Sequence, residues 1–141
     1  MPETPDLTAC LRDAETIAVV GCSGRAARTS HRIAAYLQEA GYRVIPVNPN
    51  YDTILDEPCY PDLPSVPEDV RIDIVDIFRA PAYTADMVRS AVNRVEQTGE
   101  RPVIWTQLGV SSEEAERLAD EAGLPYVRNS CILVEHRRRI R

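Results

Sequence analysis

Five short apolar runs rich in β-branched residues punctuate the chain: Ile17 to Val20, Val44 to Val47, Ile72 to Phe78, Val103 to Trp105, and Tyr126 to Val127. Such runs suit strands buried on both faces. Between the first two, Ile33, Ala34 and Leu37 share a helical face, Ser30 offers an N-cap oxygen, and Gly41 stands where the C′ residue belongs. After the third run, Pro81 suits a first helical position; Met87, Val88, Ala91, Val92 and Val95 form an apolar stripe that Gly99 ends. Ser111-Ser112-Glu113-Glu114 reads as a capping box, with Ala115, Leu118, Ala119 and Ala122 facing inward and Gly123 as the stop. Thr4-Pro5 opens a short leading helix through Leu11, and Ile132 to Arg139 closes the chain as another. The second crossover differs. Six of the eleven prolines fall between Pro46 and Pro67, which predicts an irregular stretch with at most one short turn.

Strands alternating with helices predict an α/β fold: a single Rossmann-like, doubly wound domain over residues 1–141, its five-stranded parallel sheet flanked by helices on both faces. Right-handed crossovers favour the strand order 3-2-1-4-5. The longest apolar runs fall far short of the ~20 residues of a spanning helix, and the N-terminus lacks the basic-then-apolar order of a signal peptide. A soluble, cytoplasmic protein with no membrane partner is the expectation.

Charge narrows the chemistry. All sixteen basic residues are arginine, so Schiff-base catalysis, a P-loop lysine and a lysine general base are excluded. A net charge of −6 disfavours nucleic acid as a partner and requires any anionic ligand to be held by a local basic cluster. Cys10, Cys22, Cys59 and Cys131 lie twelve, thirty-seven and seventy-two residues apart, without zinc-site or disulfide-scaffold spacing. His31 and His136 fall into no ligand pair or triad pattern, so neither a metal site nor a catalytic set is expected.

Ligands of doubly wound sheets bind beyond the carboxyl ends of the strands. The first such loop, Gly21-Cys22-Ser23-Gly24-Arg25-Ala26-Ala27-Arg28-Thr29-Ser30, leads into a helix and sets backbone N–H groups, hydroxyls and two arginines against an anion. A dinucleotide-binding G-x-G-x-x-G frame would need glycine at positions 23 and 26, where Ser23 and Ala26 stand. The second strand ends in Val47-Asn48-Pro49-Asn50, with no carboxylate for a ribose, which disfavours NAD. Arg25 and Arg28 suit a ligand with an extra phosphate, such as NADP or coenzyme A.

Several motifs in order carry a family resemblance. Gly21-x-Ser23, Arg28-x-Ser30, Tyr36-Leu37, Gly41-Tyr42-x-Val44-x-Pro46-Val47-Asn48-Pro49, Asp73-Ile74-Val75-Asp76-x-Phe78-Arg79, Trp105-x-Gln107-Leu108-Gly109-Val110, and Cys131-Ile132 with Glu135-His136 resemble the stand-alone CoA-binding proteins almost end to end. A fainter likeness reaches the CoA-binding domain of the succinyl-CoA synthetase alpha subunit, whose phosphohistidine domain has no counterpart here. The resemblance implies a Rossmann-like domain that binds coenzyme A. It maps Gly21, Ser23, Arg28 and Ser30 to the phosphate loop, Val47, Asn48 and Pro49 to the second strand end, Phe78 and Arg79 to the third, Gln107 and Gly109 to the fourth, and Cys131 to the start of the last helix. Cys22 and Arg25 lie within the same loop. Ala26 and Thr29 stand where relatives often carry proline, which implies a looser loop in the free protein.

Individual residues keep two readings. Phe78 suits stacking on adenine or packing along the pantetheine arm, and equally the core. Arg79 suits a phosphate or an ion pair with Asp76. Asn48 and Gln107 suit an adenine edge or pantetheine amides, with loop hydrogen bonding as the competitor. Trp105 reads as packing, and His31 and His136 as solvated helix positions. Cys131 at a helix start and Cys22 beside positive charge are candidates for a mixed disulfide with CoA, against buried inert thiols. The basic run from His136 to Arg141 complements a helix C-terminus. The functional expectation is a module binding CoA or an acyl-CoA without catalytic residues of its own; the alternative is an NADP-dependent oxidoreductase or a subunit of an acyl-CoA-handling enzyme. Self-association and a protein partner stay open.

Overall fold

The computed structural model describes residues 4–140; residues 1–3 and Arg141, the end of the basic run, lie outside the described residues. In chain order the elements are α1 (Leu7–Asp13), β1 (Thr16–Val20), α2 (Thr29–Glu39), β2 (Arg43–Val47), a minimal hairpin of β3 (Thr53–Ile54) and β4 (Glu57–Pro58), a 3-10 turn (Leu63–Ser65), β5 (Ile74–Ile77), α3 (Pro81–Thr98), β6 (Val103–Thr106), α4 (Glu113–Glu121), β7 (Tyr126–Val127) and α5 (Ile132–Arg139). All five apolar runs become strands of one parallel sheet.

Side-chain alternation along the strands splits the core in two. Ala18, Val20, Ile45, Val75, Ile77 and Ile104 pack against α3, α4 and the irregular crossover, while Ile17, Val19, Val44, Ile74, Trp105 and Val127 pack against α1, α2 and α5. Leu63, Val66 and Val70 thus cover sheet where a crossover helix would otherwise lie.

The sheet order is β2-β1-β5-β6-β7, so the apolar runs stand as 2-1-3-4-5 and the expected 3-2-1-4-5 is corrected. The cause is local. The outer edge of β2 is taken by the proline-rich crossover itself: Tyr60 N–H donates to the Pro46 carbonyl at 3.1 Å, and Asn48 N–H to the Tyr60 carbonyl at 2.9 Å. The third run therefore pairs with the free edge of β1, Ile17 opposite Ile74 and Val20 opposite Ile77. This arrangement sets the topological switch point, where ligands bind in such sheets, between β1 and β5.

Helix ends follow local rules with three adjustments. Gly41, Gly99 and Gly123 stop their helices as expected. The leading helix starts later, capped by Asp6, whose carboxylate accepts the Ala9 N–H. The cap of α4 is Ser112 rather than Ser111; position N3 is then Ala115, so the reciprocal glutamate bond does not form. Arg28, without a side-chain bond, caps α2 in place of Ser30. His136 is half-buried between Tyr36 and Tyr42, with Nδ1 2.7 Å from the Tyr36 hydroxyl, rather than solvated.

Candidate functional site

The loop after β1 is folded by its own hydroxyls and amides. Ser30, displaced from its capping role, accepts the Ser23 N–H on Oγ at 2.9 Å, and Ser23 Oγ accepts the Arg25 N–H at 3.0 Å. Half-buried His31 donates from Nδ1 to the Ser23 carbonyl at 2.9 Å, so it too braces the loop instead of facing solvent. The first bond of α2 runs from Arg32 N–H to the Arg28 carbonyl, which leaves the amides of Thr29, Ser30 and His31 without helical partners at the positive end of the helix.

Gly21 is the point where three strand ends meet. Its N–H donates to the Val47 carbonyl at 2.9 Å, its φ is +83°, and an added Cβ would lie 2.5 Å from the Phe78 carbonyl oxygen. Only glycine satisfies both demands. Gly24 leaves room for the Tyr51 ring, which packs where its Cβ would stand.

The cleft at the carboxyl ends of β2, β1, β5 and β6 is made of three adjoining hollows that share Gly21, Phe78 and Arg79 at their borders. Its widest part, about 500 Å³, is walled by Gly21, Ser23, Arg25, Arg28, Ser30, Tyr51 and Phe78. A narrower apolar slot runs from Gly21 and Arg79 between Val20, Val47, Pro49, Leu63 and Met87. A third hollow lies beyond Phe78 and Arg79, between Ile33, Gln107, Leu108, Val110 and Cys131. The cleft therefore gathers eleven of the fourteen expected site residues. Three sit elsewhere. The Cys22 side chain is fully buried in the core. The Asn48 amide is engaged within the loop, donating to the Cys22 carbonyl and accepting the Asn50 N–H. Gly109, whose N–H meets Asn129 Oδ1, borders a separate open depression beside Ser111, Ser112 and Arg128. Tyr51, Leu63, Met87 and Ile33 enter the cleft unannounced, because only the chain's course around the β2 edge and over α3 brings them there.

Arg25, Arg28 and Arg79 form no ion pair among the described residues, unlike Arg89, Arg94, Arg128 and Arg139. Arg79 does not pair with Asp76; its guanidinium lies 4.6 Å from the Tyr83 ring centroid, and its buried Nε has no hydrogen-bond partner. Unpaired cations on a cleft fit an anionic ligand. The four thiols are free. Desolvation pushes the Cys22 thiol up to about 12, with Cys59 and Asp76 adding to the rise, the opposite of activation by nearby arginine. Cys131, by contrast, is half-buried and lines the third hollow.

Asp76, in the middle of β5, is completely buried with neither oxygen hydrogen-bonded, and desolvation holds its carboxyl well above the usual range. The unfolded chain releases this proton near pH 3.9 while the fold retains it, so the folded state loses relative stability as pH rises from about 4 towards the raised folded value. Asp76→Asn is expected to stabilise the protein at pH 7, because asparagine has no proton for the unfolded chain to release, and to flatten that slope. Urea unfolding at pH 4.5 and 7.5 checks it; an equal slope in both proteins would contradict the assignment.

A family model described as a CoA binding domain matches residues 15–137. The chain belongs to this CoA-binding family. This CoA-binding domain is 35% identical over 135 residues to the Bacillus subtilis protein YneT, covering 96% of this chain and 95% of that one. It is 36% identical to a Pyrococcus horikoshii protein of solved structure, with a TM-score of 0.88 and full coverage of both chains. It is also 30% identical over 108 residues to an ADP-forming acetate–CoA ligase of Archaeoglobus fulgidus, but spans only 15% of that enzyme's length. Coenzyme A is thus the ligand that family membership supports. The residues present fit it: unpaired arginines beside free helix amides suit its phosphates, and the buried, unpartnered Arg79 Nε suits a polar atom along its arm. No described helix is long and apolar enough to cross a membrane.

Proposed function

We propose that residues 1–141 act as one cytoplasmic module that takes up CoA or an acyl-CoA in the cleft and performs no chemistry of its own. The observation that carries the reading is the unpaired Arg25 and Arg28 at the N-terminus of α2, on a chain whose net charge is −6. The pyrophosphate lies against the Gly21–Ser30 loop. Adenine takes the apolar slot of Val20, Val47, Pro49, Leu63 and Met87, and the pantetheine arm runs past Phe78 and Arg79 to Gln107 and Cys131. Asn48 contributes by holding the loop to the end of β2, and Cys22 by packing beneath it. Gly109 shapes the turn after β6 through its bond to Asn129.

Titration calorimetry of ligand-stripped protein tests this. CoA is expected to bind with one site per chain, and Arg28→Ala to weaken it by about 1.5–3 kcal/mol, the usual loss for a charge-assisted contact. NADP binding more tightly than CoA would instead favour a redox enzyme, and an unaltered CoA affinity in the variant would remove Arg28 from the site.

A further inference from the structure

The third hollow differs in character from the rest of the cleft. Its volume is about 280 Å³, and its walls include Ile33, Phe78, Leu108, Val110 and Cys131. Leu108 at its mouth keeps 67% of its surface in water, an exposed apolar rim that a ligand would cover. Among these side chains stands the amide of Gln107, a residue only 5% exposed. Gln107 Oε1 accepts the Ile132 N–H at 3.1 Å, which fixes the first turn of α5 and leaves the nitrogen end of the amide unengaged. That end, Nε2, is buried without a hydrogen-bond partner.

A buried donor without an acceptor is costly, and the cost is relieved when a ligand brings an oxygen to it. The terminal thiol of CoA offers only a weak sulfur acceptor, whereas a thioester offers a carbonyl oxygen and, beyond it, an apolar group suited to these walls. We propose that this hollow receives the acyl end of an acyl-CoA, with Gln107 Nε2 donating to the thioester carbonyl, so that the protein selects thioesters bearing a small uncharged acyl group over CoA itself. The inference rests on the cleft being the CoA site.

The test compares CoA, acetyl-CoA and butyryl-CoA by titration of ligand-stripped protein. Both thioesters are expected to bind at least about tenfold more tightly than CoA, equivalent to about 1.4 kcal/mol. Gln107→Glu keeps an acceptor for the Ile132 N–H and loses the donor. Its carboxylate acts alike on the phosphates of all three ligands but repels a thioester carbonyl oxygen and accepts the S–H of CoA, so the ratio of affinities is expected to fall to one or below. Thioesters binding no more tightly than CoA to the unaltered protein would overturn the proposal while leaving the CoA site standing, whether or not the variant folds. Silence with all three ligands would overturn the CoA reading and this proposal with it.

Discussion

Replacing Arg94 with methionine is expected to cost about 3–5 kcal/mol of folding stability, the range found when one partner of a buried ion pair is removed. Arg94 lies on the inward stripe of α3, fully buried. Its Nε meets Glu100 Oε1 at 2.7 Å, Nη1 donates to the Leu63 and Val66 carbonyls, and Nη2 to those of Pro67 and Val70. All five guanidinium donors are thereby used. Methionine would fill most of the same space and leave four carbonyls and a carboxylate without this partner. The penalty also reaches the cleft, because Leu63 and its neighbours Pro61 and Asp62 form one wall of the apolar slot. Urea unfolding should show the lowered midpoint, and calorimetry a CoA affinity reduced alongside it. A loss below about 1 kcal/mol would mean that the crossover is held by its apolar contacts alone.

Gly21→Ala is expected to lose CoA binding and about 1–3 kcal/mol of stability. Alanine at φ +83° is strained, and its Cβ would collide with the Phe78 backbone rather than with a flexible side chain. Relief requires β1 and β5 to part at the switch point or the loop to lift from the Val47 carbonyl. Either movement displaces the amides at the start of α2 and the guanidinium of Arg79 from a common ligand. Circular dichroism melting separates the two losses: a folded variant that binds CoA normally would place the ligand away from this turn.

What the sequence made legible was governed by nearest neighbours along the chain. The five buried strands, the α5 boundaries, and the stops at Gly41, Gly99 and Gly123 follow from periodicity and cap chemistry within a few residues. Strand order did not, because the apolar content of the third run fits either free edge; Tyr60 closing the edge of β2 decides it, and nothing in Tyr60 itself signals that role. Arg94 had a readable sign, a cation three residues after Ala91 on an apolar stripe, but its carbonyl partners come from a segment without regular structure. In the cleft, residue types pointed to the Gly21–Ser30 loop while side-chain direction sorted the rest. Asn48 and Gln107 are both amides at strand ends, yet the Asn48 amide is engaged at both ends in its own loop and Gln107 keeps a free donor.

The proposed function places CoA on the carboxyl ends of the strands, its phosphates against the Gly21–Ser30 loop. Amide hydrogen exchange of ligand-stripped protein with and without CoA reads that directly. Slowed exchange is expected from Gly21 through His31 and at the ends of β5 and β6, with α4 and the opposite end of the sheet unchanged. Protection confined to the depression beside Ser111 and Arg128, or absent from the loop at saturating CoA, would contradict it.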